Sequence, residues 1–255
     1  ARLLRERGAE GAADTLRALA AGNPPAPARV AALGTLDAAG ELDGDTLMAA
    51  IGGGDAAVRR AALRLAAERD NSGHTPAPAG VTALLNDPDP RVRLNDLLAI
   101  STTNVDDGVA AAVLAAWPAF QDRHLQSAAL GVAVTAPFAF LDAAFAAADP
   151  APLADFVGHL ARLVATKRDA GLASRFVAAI ARQPAAKDAL KQAALESLAR
   201  ALPADVKPAW SPALQAAFAA LLQSPRAGVP GAALPLIARW DGEAALAAEL
   251  KPVVA

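Results

Sequence analysis

The stretch "NDPDPRVRLNDLLAI", residues 86–100, holds the pattern on which the chain is built and one departure from it. Asp89 can cap a helix N-terminus, and Pro90 can take the first helical position, where a missing N–H costs nothing. An apolar row follows, and into it the sequence sets Asn95 and Asp96 directly before Leu97. Whether those two polar residues form a site or only satisfy the structure is the question the rest of the chain must answer.

Working outward, six segments share the same signature, an apolar or small residue five positions before a Leu, usually with Ala-Ala just ahead of it. They are "ARVAAL" (28–33), "VRRAAL" (58–63), "VRLNDL" (92–97), "LQSAAL" (125–130), "LKQAAL" (190–195) and "VPGAAL" (229–234). The gap between 130 and 195 leaves room for a degenerate copy around "DFVGHLARLV" (155–164). Spacings of about 30–40 residues belong to solenoid repeats. Asp55, Asp89 and Asp122 each stand three residues before the first apolar position of their copy, so caps mark the repeats independently of the apolar pattern.

Turn signals split each period into two helical stretches, and no alternating run of β-branched residues competes. The sequence therefore predicts an all-α fold, an α-solenoid of about seven antiparallel helix pairs wound into a right-handed superhelix. The expected pairs are 10–21 with 26–39, 43–52 with 55–69, 78–86 with 89–103, 106–117 with 122–135, 137–148 with 152–166, 171–183 with 187–202, and 211–223 with 229–241, closed by a helix at 243–250. The whole of 1–255 reads as one repeat domain. Because it begins at Ala1 without Met, it is expected to be a piece of a longer multidomain protein.

Composition sets the outer limits. At 54% hydrophobic and 20% charged the chain is globular rather than disordered, and a formal charge of −2 supplies no broad basic field for phosphate. Nucleic acid is therefore not an expected partner. Zero cysteines exclude disulfides, thiolate metal sites and a thiol nucleophile within these residues. His74, His124 and His159 lie far apart and in no metal-binding spacing. No cofactor or metal is expected in this chain, and "IGGGD" (51–55) lacks the Gly-Lys-Ser/Thr of a phosphate loop. The longest apolar run, 125–141, is interrupted by Gln126, Ser127, Thr135 and Pro137, and it falls short of the roughly 20 residues a membrane span needs.

Paired helices with "DPDPRVR" at the turn resemble HEAT repeats, specifically the short bacterial kind related to phycobilisome-lyase repeats. The order "RLLRERG", "ALGTLDAAGELDGDTLMAAI", "VRRAALRLAAE", "DPDPRVRL", "DRHLQSAALG", "HLARLVATKRDAGLASRFVAAIA", "LKQAALESLARAL" is similar to the HEAT region of large planctomycete and verrucomicrobial dehydrogenase–cytochrome c fusion proteins. Those carry a sugar-dehydrogenase-like propeller before the repeats and a C-x-x-C-H cytochrome domain after them. The resemblance implies a periplasmic or cell-envelope location and a non-catalytic role, positioning flanking redox domains or docking another protein. This chain has neither propeller strands nor C-x-x-C-H, so the implied redox chemistry lies outside it.

The candidate partner-binding residues are Asn95, Asp96, Arg59 and Arg93. Asn95 and Asp96 fill the register that holds Ala-Ala in the five other clear copies. One reading has Asp96 accept hydrogen bonds from a neighbouring repeat, with Leu94, Leu97 and Leu98 facing the core and Asn95 facing out; the other makes the two residues a contact for a ligand or partner. Arg59 and Arg93, with Lys191, form a matching row that either pairs with nearby carboxylates or serves a partner. Trp117, Trp210 and Trp240 are expected as packing anchors. A repeat-based lyase using Asp96, a DNA-repair glycosylase and a self-assembling scaffold are the competing functions.

Overall fold

The computed structural model describes residues 10–69 and 81–254, which form fourteen α-helices and short 3-10 turns, with no strand among the described residues. His74, the "RLLRERG" segment and the expected helix start at 78–80 lie outside them. The chain divides into two compact units, Ala1–Val132 and Ala133–Ala255.

In the first unit, α1 (Glu10–Ala21) packs on α2 (Ala26–Ala39), and α3 (Gly44–Ile51) on α4 (Ala56–Arg69). A 3-10 turn (Val81–Asn86) packs on α5 (Pro90–Ile100), and α6 (Asp107–Ala116) and α7 (Arg123–Ala133) follow. Stacking runs in two layers: α1 on α3 and the 3-10 turn on α6 in one, α2 on α4 and α4 on α5 in the other. The second unit repeats the scheme with α8 (Pro137–Ala146), α9 (Ala154–Thr166), α10 (Ala170–Ala181), α11 (Asp188–Ala201), α12 (Pro212–Leu222), α13 (Gly228–Arg239) and α14 (Ala247–Val254). There α8, α10, α12 and α14 stack in sequence, and so do α9, α11 and α13.

Local chemistry explains the boundaries. The Asp89 carboxylate accepts from Arg91 N at 2.8 Å, that of Asp55 from Ala57 N at 2.8 Å and that of Asp122 from His124 N at 2.5 Å, as the cap pattern predicts. Asp43, Asp106, Asp169 and the Ser211 hydroxyl cap further helices in the same way. Pro90, Pro137 and Pro212 open theirs. Gly40, at φ 77°, ends α2 in the left-handed conformation that glycine adopts without strain.

Three expectations need correction. Of the first helix of the third pair, expected at 78–86, the described residues Val81–Asn86 form a 3-10 turn rather than an α-helix, and it stops before Asp87, which precedes Pro88 and is pushed out of the helical region. The closing helix runs 247–254 rather than 243–250. The chain first reverses at Asp241, in the left-handed region at φ 56°, and at Gly242, where an added Cβ would run into the Trp210 ring. Finally, of Leu63, Leu130 and Leu195, which the repeat pattern makes core residues, Leu63 and Leu195 are wholly buried, as are Leu33 and Leu97, but Leu130 is only half-buried, as is Leu234. The constant is instead the residue before the Leu: Ala32, Ala62, Asp96, Ala129, Ala194 and Ala233 are all closed to solvent.

The tryptophans pack as anticipated. Trp117 and Trp240 are buried, and Phe218 sits between Trp210 and Trp240 at centroid distances of 5.5 and 5.7 Å. The indole N–H of Trp240 donates to Val206 O at 3.1 Å and that of Trp210 to Trp240 O at 2.5 Å, so both rings bring their polar edge to a backbone acceptor while the apolar body packs.

Candidate functional site

Helix α5 is where the repeat pattern and the polar insertion meet. Its buried residues are Val92, Asp96, Leu97, Ala99 and Ile100, which centres the covered arc on 92, 96 and 99–100. Leu98 lies 200° from Asp96 on the helical wheel and is 48% exposed, so it does not face the core as expected. Leu94 is half-buried. Asn95 is half-buried too, and its Nδ2 donates back to Arg91 O at 2.8 Å within its own helix.

Asp96 departs from the expectation altogether. It is 0% exposed, and among the described residues neither carboxylate oxygen has a hydrogen-bond partner, so it accepts neither a backbone amide nor an arginine there. It occupies the slot that a fully buried Ala methyl fills in the five other copies. Burial and then the nearby Asp87 carboxylate push its pKa from 3.8 up to about 8, so the group is mostly the neutral acid at pH 7. A buried acid without a partner offers a docking protein nothing to touch.

Arg59 shows the structural alternative for the arginine row. From α4 its Nη1 donates to Gly53 O at 2.8 Å, its Nη2 to Asp87 Oδ1 at 3.1 Å, and its Nε lies 2.8 Å from Asp87 Oδ2. The pair is nearly closed to water, at 11% and 4% side-chain exposure, and Asp87 also accepts from Asp89 N at 2.8 Å. Arg59 is thus a clamp between successive repeats and is withdrawn from any partner. Lys191 is likewise buried, 3.0 Å from Asp188 Oδ1, while Asp188 also accepts from the Ser224 hydroxyl.

Arg93 stands one repeat after Arg59, half-buried, with no ion pair and a buried Nε that lacks a hydrogen bond among the described residues. The residue 34 positions after Asp87 is Gln121, exposed and turned to Pro118 O, so the carboxylate that would continue the clamp is missing. The arginine row is one rung long. Asp87 does not stand out in the sequence because "DPDP" offers two Asp residues and only Asp89 is required as a cap.

The open surface lies beside these residues. A cavity of about 500 Å³ is lined by α2, α4 and α5, including Pro27, Val30, Ala57, Arg60, Arg64 and Asn95. A second, of about 250 Å³, is lined by Arg64, Ala67, Glu68, Asn95 and Leu98. They share Arg64 and Asn95 as common walls and so lie side by side along a groove over α2, α4 and α5. Of the four candidates Asn95 alone lines it. Arg60 and Arg64, which the repeat register gives no reason to single out, lie one helical turn apart in "VRRAALRLAAE", the spacing that turns two side chains to one face. In the second unit a cavity of about 410 Å³ between α11 and α13 is lined by residues that include Gln192, Glu196, Arg200, Gly231 and Pro235.

No group of three or more His, Asp or Glu side chains that could hold a metal is present among the described residues, and no single helix there is long and apolar enough to cross a membrane. No protein-family model matches the chain, and no curated protein matches it. Among solved structures it is similar to the crystal structure of an engineered protein, 17% identical, with 94% of each chain covered and a TM-score of 0.34.

Proposed function

We propose that this chain is a non-catalytic helical-repeat module that docks another protein or holds flanking domains in place. Its resemblance to the HEAT region of dehydrogenase–cytochrome fusions suits the second role, as a periplasmic spacer between an oxidising domain and its electron acceptor. The observation that carries the reading is the open groove across α2, α4 and α5, with Leu98 48% exposed at its edge. Stacked repeats present such faces to partners because each helix covers only its neighbours. The one buried acid that a lyase reading would need, Asp96, is sealed from the groove.

The test is a photo-crosslinking residue at Leu98 in the native host, with a control at the exposed Ala111 of α6, followed by identification of the crosslinked peptide and rebinding of that purified partner. Crosslinks from Leu98 alone to a propeller, a haem domain or a separate protein support the reading. Equal labelling from both positions, or none from Leu98, overturns it, and crosslinks to a second copy favour self-assembly instead.

A further inference from the structure

We infer that the α2–α4–α5 groove takes an extended acidic segment of the partner, with the order apolar–any–acidic–any–apolar; this rests on the docking reading above. The floor is built of short side chains, Pro27 and Val30 from α2 and Ala57 and Ala61 from α4, which leave room for another chain's side chains. Leu98 offers apolar surface at the far edge.

The charge on the groove is cationic. Arg60 has no ion pair among the described residues, and Arg64 has one, to Glu68 at 3.2 Å, with both side chains more than half exposed. Such an exposed pair is worth little and exchanges readily for a better acceptor. Asn95 has spent one of its two amide hydrogens on Arg91 O, so one donor and the carbonyl acceptor remain, and it adds no rival negative charge. Two guanidiniums one turn apart can therefore receive one carboxylate between them, with the geometry in which arginine outperforms lysine.

Geometry sets the length. Packed helices lie about 8–10 Å apart, so crossing from α2 to α5 takes roughly 16–20 Å, which an extended chain covers in about five or six residues at about 3.3 Å each. Alternate residues of that chain face the groove, so a central acid over α4 places the two flanking apolar residues toward Val30 on one side and Leu98 on the other. A nucleic acid strand would find the same two arginines but no extended basic track and no aromatic platform in the groove.

The experiment uses fluorescein-labelled Gly-Leu-Ser-Glu-Ser-Leu-Gly and its Lys-centred counterpart, titrated with the full chain at low salt and followed by anisotropy. The Glu peptide should bind and the Lys peptide should not. Arg60→Glu with Arg64→Glu should weaken the Glu peptide at least about tenfold, while Glu68→Gln, which removes the competing carboxylate, should tighten it. Arg200→Glu, in the other unit, should change nothing, and circular dichroism should show every variant folded. Equal binding of both peptides, no binding of either, or an oligonucleotide preferred to both overturns the inference. A partner recovered through Leu98 whose binding ignores reversal of Arg60 and Arg64 also overturns it while leaving the docking reading intact.

Discussion

Replacing Asp96 by asparagine should change how stability depends on pH. In the folded chain the carboxyl titrates near 8, whereas its ordinary value is 3.8, a gap of about 4 pH units. Below the lower value both folded and unfolded chains carry the proton, and the group takes no side. As pH rises through the window from about 4 to 8, the unfolded chain ionises while the folded chain stays protonated, so ionisation favours unfolding by about 1.4 kcal/mol per unit. Well above 8 the penalty is constant at roughly 6 kcal/mol. Wild type should therefore gain about 4 kcal/mol on going from pH 8 to pH 5, seen as a rise in Tm of about 10 °C. An asparagine side chain in this slot would bear the same unpaired polar cost as the neutral acid but cannot ionise. The Asp96→Asn chain should thus be more stable than wild type by up to about 5 kcal/mol at pH 8 and by only about 1.5 kcal/mol at pH 5. Thermal melts of both proteins across pH 4–9 read this difference directly, since other titrating groups are shared. Parallel pH profiles would refute the reasoning, and so would an Asp96→Asn variant less stable than wild type at pH 8. The sign also reverses the expectation drawn from sequence: with no hydrogen bond to lose, Asp96→Ala, which installs the residue the other copies use, should stabilise the fold at pH 8 rather than weaken it.

Asp87→Ala should cost about 3–5 kcal/mol by urea unfolding, because it strands the Arg59 guanidinium in a nearly dry site, whereas Arg93→Ala should cost under about 1 kcal/mol since no ion pair is lost. Leu63→Ala should cost about 2–5 kcal/mol, and Leu130→Ala clearly less, because Leu130 is only half-buried; equal losses would show the repeat register to be uniform after all. Gly242→Ala should destabilise the second unit by about 1–3 kcal/mol and alter tryptophan fluorescence, since the new methyl meets the Trp210 ring, while Gly231→Ala, with nothing within 4 Å, should stay within about 0.5 kcal/mol.

Features set by short-range chemistry were legible in the sequence. The first pair lies at 10–21 and 26–39 as the pattern predicts, and Asp55, Asp89 and Asp122 cap where they were expected, because caps and apolar spacing act within a single turn. What depended on distant residues was not legible. The clamp from Arg59 to Asp87 joins groups 28 positions apart, and nothing local distinguishes Asp87 from Asp89. Asp96 is the instructive case. Centring the helix on Leu94, Leu97 and Leu98 put it at the edge of the covered face, yet the Ala before the repeat Leu in the five other copies marks the position as one closed to solvent. The alanines held that information; the leucines masked it, because their long side chains reach the core from the side of the arc. The groove was hidden for a similar reason, since its lining comes from three helices and its arginines look like ordinary surface charge one helix at a time.

Hydrogen–deuterium exchange of the full chain, free and bound to the partner recovered by crosslinking, shows whether the second helices of the first unit form the docking face. Added protection should appear in 56–69 and 90–100, with the first-layer helix at 107–116 unchanged. Protection confined to 107–116 or to the second unit, with 56–69 and 90–100 exchanging as in the free chain, would contradict that placement.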